Sequence, residues 1–223
     1  RASGPPMRRL LGAPILFLAA CGEAGGARGA GLEYYLSADP SSLDPAVSTD
    51  VQSGEVVALL FDNLVHFDAD AELQPGLAAR WEADRSGKTY TFHLRAGATF
   101  HDGRRIGARE VRASLLRALD PASKAGRQWP LFPIEGAREY AAGRAGDVRG
   151  IGTPDDSTIV FTLTEPLNIF PKFLAMPVAA VAPSPVPPDF DQHPVGSGPW
   201  RFVSWSHDDA IVLAKNPSYW GGP

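Results

Sequence analysis

Apolar and polar side chains alternate cleanly from Thr89 to Arg95. Tyr90, Phe92 and Leu94 fall on one side; Thr89, Thr91, His93 and Arg95 fall on the other. A period of two predicts a half-buried strand. Ser157 to Leu163 and Trp200 to Trp205 alternate in the same way, Ile211 to Ala214 predicts a last strand, and Leu32 to Leu36 a first one. Elsewhere the period lengthens. Val111, Leu115 and Leu119 are spaced by four, which predicts an amphipathic helix over Ala108 to Leu119, stopped by Asp120-Pro121. Val56, Leu60 and Leu64 repeat that spacing and predict a second apolar helical face. A short helix is predicted near Gly136 to Ala142, and Phe170 to Leu174 reads as a short apolar segment.

Turn chemistry separates these pieces. Ala96-Gly97 turns the first clear strand, Ala98-Thr99-Phe100 begins a return, and His101-Asp102-Gly103 turns again, with a glycine suited to positive φ. Gly196-Ser197-Gly198-Pro199 predicts a close backbone turn before Trp200, and Pro183 to Pro188 a proline-rich connection. Asp39-Pro40 and Asp44-Pro45 mark a loop. Strands and helices without regular alternation predict an α+β fold with mixed sheets.

Composition narrows the class. The chain has 223 residues, 44% hydrophobic and 21% charged, enough to bury a sizeable core. Lys and Arg number 21 against 25 Asp and Glu, so the net charge is −4, which disfavours a nucleic-acid binder working through a basic field. The single cysteine excludes an internal disulfide and a cysteine-cluster zinc site.

That cysteine stands in an informative place. Met7-Arg8-Arg9 precedes eleven mostly apolar residues, Leu10 to Ala20, and then Cys21. Charge followed by a short apolar run predicts a secretory signal with a start at Met7, covering residues 1–20. Leu18-Ala19-Ala20-Cys21 resembles the bacterial lipobox, which implies a diacylglycerol on Cys21 and an anchor in the membrane. The Gly-rich stretch after it, within residues 21–31, predicts a flexible tether.

No catalytic set assembles from the remaining residues. Gly87-Lys88-Thr89 ends like a phosphate loop, but Glu82 stands where that motif needs a glycine. Gly196-Ser197-Gly198 lacks the spacing of a nucleophile elbow. The five histidines, 66, 93, 101, 193 and 207, are scattered, with no paired ligand at helical spacing. An exported, tethered, acidic α+β chain without visible chemistry favours binding or scaffolding over catalysis, and neither a cofactor nor a metal is expected.

Several segments together resemble the extracytoplasmic solute-binding proteins of bacterial peptide/nickel ABC importers. They are Ser42-Leu43-Asp44-Pro45, Leu60 to Val65, Pro75 to Glu82, Gly87 to Gly97, Phe100 to Gly103, Glu110-Val111, Arg117 to Pro121, Pro194 to Trp200 and Asn216 to Trp220. The resemblance implies one lobe of a clamshell that closes on a peptide or similar solute and delivers it to a permease and its ATPase. It implies that residues 32–223 hold part of the first lobe, with the second lobe beyond residue 223. It also implies pocket-facing stretches at Thr49-Asp50-Val51 and around Gln128-Trp129, and core roles for Trp81 and Trp220. The competing readings are an envelope lipoprotein with a scaffold or signalling role built on the same lobe, and a non-functional truncation. Two positions depart from the family pattern: Gly107 where Ser or Thr is usual before the helix, and Arg109 where an acidic residue is usual.

Overall fold

The computed structural model describes residues 33–222. The signal, lipobox and tether expectations at residues 1–31 therefore lie outside the described residues. The chain divides into a unit of residues 1–35 and a unit of residues 36–223. In the first, Glu33, Tyr34 and Tyr35 carry no regular structure; the expected strand at Leu32 to Leu36 is not formed over its described part. Adjacent Tyr34 and Tyr35 would face opposite sides of any strand, and both are exposed.

The second unit is built around a four-stranded sheet of β3 (Ala78–Ala83), β4 (Thr89–Leu94), β6 (Thr158–Thr162) and β5 (Ile151–Asp155), in that order. Two further pairs, β1 (Val65–Phe67) with β2 (Leu73–Pro75) and β7 (Trp200–Ser206) with β8 (Ala210–Lys215), form separate ribbons. Every pair among the described residues is antiparallel, so the expectation of mixed sheets is corrected. The connections between paired strands are mostly short hairpins, which favour that orientation.

Register explains the core. Trp81, Phe92 and Ile159 lie opposite one another across β3, β4 and β6, and Tyr90 faces Phe161. Phe92 stacks on Trp81 with ring centroids 6.1 Å apart and meets Phe161 edge-on at 5.6 Å. Helix α2 (Ala108–Leu119) covers this layer, burying Val111, Leu115 and Leu119 as the spacing predicts. A second cluster gathers Leu43, Val56, Val57, Leu60, Phe61 and Phe190 around α1 (Val51–Leu60). Leu64 is buried but belongs to the strand side, because α1 ends at Leu60. Helices α3 (Ala137–Ala141) and α4 (Phe170–Phe173) are single turns.

Local chemistry accounts for the details. Gly87-Lys88-Thr89 forms the β3–β4 turn: the Asp84 carboxylate accepts both Lys88 N–H and Thr89 N–H, and Gly87 sits at φ 67°. The expected return at Ala98 to Phe100 is only an isolated bridge, Thr99 to Arg105. Both departures at α2 have a cause. Asp156 O accepts Ala108 N–H at 2.9 Å, so a backbone carbonyl satisfies one of the four N–H groups that the helix start leaves unpaired. A Cβ on Gly107 would stand 3.0 Å from that same oxygen. Arg109 Nη2 reaches the Asp156 carboxylate at 3.3 Å.

Candidate functional site

The loop before α1 sets the first candidate stretch. Asp50 is the N-cap of the helix: its Oδ1 accepts Ser53 N–H at 2.7 Å and its Oδ2 accepts Ser53 Oγ–H at 2.7 Å. Ser41 Oγ–H adds a third bond to Oδ2. Burial pushes the Asp50 carboxyl up, but these bonds outweigh it and hold the group at about 2. Asp50 is thus an anion spent on its own helix. Val51, the first helical residue, is exposed, as is Thr49.

The second stretch enters from the far end of α2. A 3₁₀ turn at Pro121–Ser123 and another at Trp129–Leu131 carry the chain back toward the α1 loop. Arg127 Nη2–H donates to Thr49 O at 2.8 Å, which joins the two stretches. Gly126 approaches closely enough that a Cβ would lie 3.0 Å from Thr49 Cγ2. Gln128 points the other way: its Nε2–H donates to Ala118 O at 3.0 Å. Trp129 is 49% exposed and rests edge-on against Phe173, with centroids 5.2 Å apart. Thr49, Val51, Arg127 and Trp129 are all exposed, and the Arg127 bond to Thr49 brings the two stretches together, while Asp50 and Gln128 are held by local hydrogen bonds. Arg127 escaped the sequence reading because nothing in its spacing marks it; only the folded contact with Thr49 does.

A second constellation surrounds the Gly196-Ser197-Gly198 turn and is buried. Leu60 O accepts Ser197 N–H at 3.0 Å and Gly198 N–H at 2.9 Å, closing the end of α1. Contact is so close that a Cβ on Gly196 would stand 1.8 Å from Leu60 O, and one on Gly198 2.6 Å from Leu59 O. His101 spans the turn. Its Nδ1 accepts Gly196 N–H at 3.1 Å, which leaves Nε2 to donate to Gly198 O at 3.1 Å. Burial pushes the His101 imidazole below its ordinary range.

Next to this turn, Asp62 accepts Trp220 Nε1–H at 2.8 Å and Tyr219 Oη–H at 3.0 Å. Burial raises its carboxyl to about 6 against the pull of those donors and of Arg95. Arg95 lies over the Trp220 ring, 4.2 Å from its centroid. Trp81 and Trp220 both pack against the core, as expected. Both nitrogens of His101 and both oxygens of Asp62 are committed to holding residues 196–220 in place. Among the described residues, no group of three His, Cys, Asp or Glu is placed to hold a metal ion.

The family model for bacterial extracellular solute-binding proteins, family 5 (middle region), matches residues 72–223. An oligopeptide-binding protein of Bacillus subtilis is 30% identical over 92% of this chain and 41% of its own length. A glutathione-binding protein of Pectobacterium atrosepticum is 34% identical over 81% of this chain and 33% of its own. The crystal structure of the Haemophilus influenzae oligopeptide-binding protein in complex with RPPGFSPFR superposes with a TM-score of 0.78 at 27% identity, covering 82% of this chain and 38% of that one. The chain spans about two fifths of the length of the first of these relatives.

Proposed function

Because the chain belongs to family 5 of the bacterial extracellular solute-binding proteins, we propose that it captures peptides or similar small solutes outside the cytoplasmic membrane. It then hands them to the permease and ATPase of an ABC importer. The observation that carries this reading is the alignment of nine tenths of the chain with a protein named for oligopeptide binding. Two relatives named for different solutes, glutathione and deoxycholate, leave the identity of the solute to experiment.

The exposed side chains of Thr49, Val51 and Trp129, with Asp50 and Gln128 beside them, are where the solute meets this lobe in this reading. Backbone hydrogen bonds suit peptides of varied sequence, and closure of two lobes around the ligand would exclude water. Cys21 carries the lipid that keeps the protein at the membrane. Calorimetry with a panel of short peptides, glutathione and a bile acid tests the binding; saturable heat with at least one solute is expected, and silence across the panel sinks it. Labelling with a radioactive fatty acid tests the anchor: a Cys21→Ser variant labelled as well as the natural chain would end that part.

A further inference from the structure

The sheet edges of this fold differ in how they resist further pairing. In the four-stranded sheet, outer strand β5 carries Gly152 and Pro154, and outer strand β3 carries the charged Arg80 and Glu82. Proline and charge on an edge discourage the addition of another strand. β1 and β2 have only three residues each. The β7–β8 ribbon lacks these devices. Helix α1 packs against β7, and β8 has no second neighbouring strand among the described residues. From Ala210 to Ala214, β8 holds five uncharged residues, none of them Pro or Gly. Ile211 and Leu213 are half-buried against the second core cluster, beside Phe202 and Trp205 of β7. The Trp205 indole N–H donates to Asp39 at 2.9 Å, which braces the ribbon. On the other face Val212 is 48% exposed, and Ala210 and Ala214 are exposed beside it.

The sequence around this edge is its own complement. Set antiparallel to a second copy about a two-fold axis at Val212, residue 210 meets 214 and residue 211 meets 213. Val212 then faces Val212 of the second copy, Ala210 faces Ala214, and Ile211 faces Leu213 on the inner side. The same register sets Asp209, just before the strand, opposite Lys215 at its end, and does so twice. Both are exposed, and among the described residues neither has an ion-pair partner. Shifting the register by two residues either way sets Asp209 against Leu213 or Lys215 against Ile211. We propose that β8 is a self-pairing edge through which two copies of this chain associate, joining two ribbons into one four-stranded antiparallel sheet. Matched apolar pairs and two cross-strand ion pairs favour that one register. The inference is independent of solute capture, because no residue of the two candidate stretches takes part in it.

The test uses the full chain with Cys21→Ser, which removes its one cysteine. Sedimentation over a range of concentrations is expected to show a monomer–dimer equilibrium that weakens with added salt. Asp209→Lys and Lys215→Asp each set like charges opposite one another, and each is expected to raise the dimer dissociation constant about tenfold. Mixing the two variants puts opposite charges back at both ends and is expected to restore association. Misfolding of either variant cannot produce that recovery. In the same background Val212→Cys is expected to oxidise to a disulfide-linked dimer, because opposed residues lie within reach of such a bond. Ala210→Cys and Ala214→Cys are expected to link to each other when mixed and to link little with themselves. A chain that stays monomeric at every concentration overturns the proposal, and protected β8 amides in that monomer would show a segment of the same chain on the edge. Dimers that ignore both charge variants, a mixture that does not recover, or linking that is equal at 210, 212 and 214 overturns the assignment to β8.

Discussion

The guanidinium of Arg117 grips the carboxylate of Asp44 through two parallel bonds, Nη1 to Oδ2 at 2.8 Å and Nη2 to Oδ1 at 2.7 Å. The two side chains are only 14% and 10% exposed. Asp44 also accepts Ala46 N–H at 2.9 Å, and Arg117 lies over the Phe190 ring at 5.5 Å. The pair thus ties the loop before α1 to the last turn of α2 and to the second core cluster.

Breaking that pair from one side leaves a buried charge alone. Arg117→Met or Asp44→Ala should each cost about 3 kcal/mol or more in urea unfolding. The double variant should cost less than the two singles together, because each single strands its partner. Additive losses would mean that the pair is not coupled.

Acid and base act on this fold in opposite directions at neighbouring residues. The Asp62 carboxyl is raised from its ordinary 3.8 to about 6. Its contribution to stability is complete below about pH 4 and is lost as pH rises through about 6, by roughly 3 kcal/mol at most. The His101 imidazole is lowered from its ordinary 6.5. Its contribution is complete above pH 6.5 and is lost as pH falls through the lowered value. Asp62→Asn should flatten the decline between pH 4 and 6, and His101→Gln should flatten the decline on the acid side. Thermal unfolding across pH separates the two; an unchanged profile in either variant refutes that half.

The glycines divide by what surrounds them. Gly196→Ala would drive a Cβ to 1.8 Å from a backbone oxygen, and backbone cannot step aside. It should prevent the β7–β8 ribbon from docking, read as exposed Trp205 and Trp220 in fluorescence. Gly103 has a φ of 87° but open space around it. Gly103→Ala should cost only about 1–2 kcal/mol of backbone strain and leave the tryptophan spectrum unchanged. Equal damage from both would contradict the close approach at Leu60.

Replacing Asp50 with Ala should cost about 1–2 kcal/mol through loss of the α1 cap. It should also free Ser41, which hydrogen exchange of the loop before α1 would report. A larger loss of solute affinity than of stability would show that Asp50 touches the ligand directly.

Much of the fold was legible because one face of each element decides it. β4, β6, β7 and α2 each carry a clean period, and α2 runs from Ala108 to Leu119 as that period says. β3 escaped because its residues are mostly exposed and include Ala, Arg and Glu, poor strand formers held only by pairing with β4. β5 escaped because Gly152 and Pro154 break any alternation. Of the candidate site, the two stretches at Thr49 and Gln128 were named from the sequence, and the fold brings them together through Arg127 and Thr49. Which side chains remain open is decided by contacts distant in sequence, such as Gln128 with Ala118 and Arg127 with Thr49.

The seal at the end of α1 also dictates an order of events. Asp62 and Ser197 are joined by a hydrogen bond across 135 residues of chain. Closing a loop of that size costs on the order of 4 kcal/mol before any contact repays it. The local hairpins β3–β4 and β7–β8 need no such closure and can form early. The carbonyl of Leu60 at the end of α1 gains its donors only when Ser197 and Gly198 return to it. Maturation of this lobe is therefore a late, cooperative step, set by sequence separation and slower than its helix content would suggest.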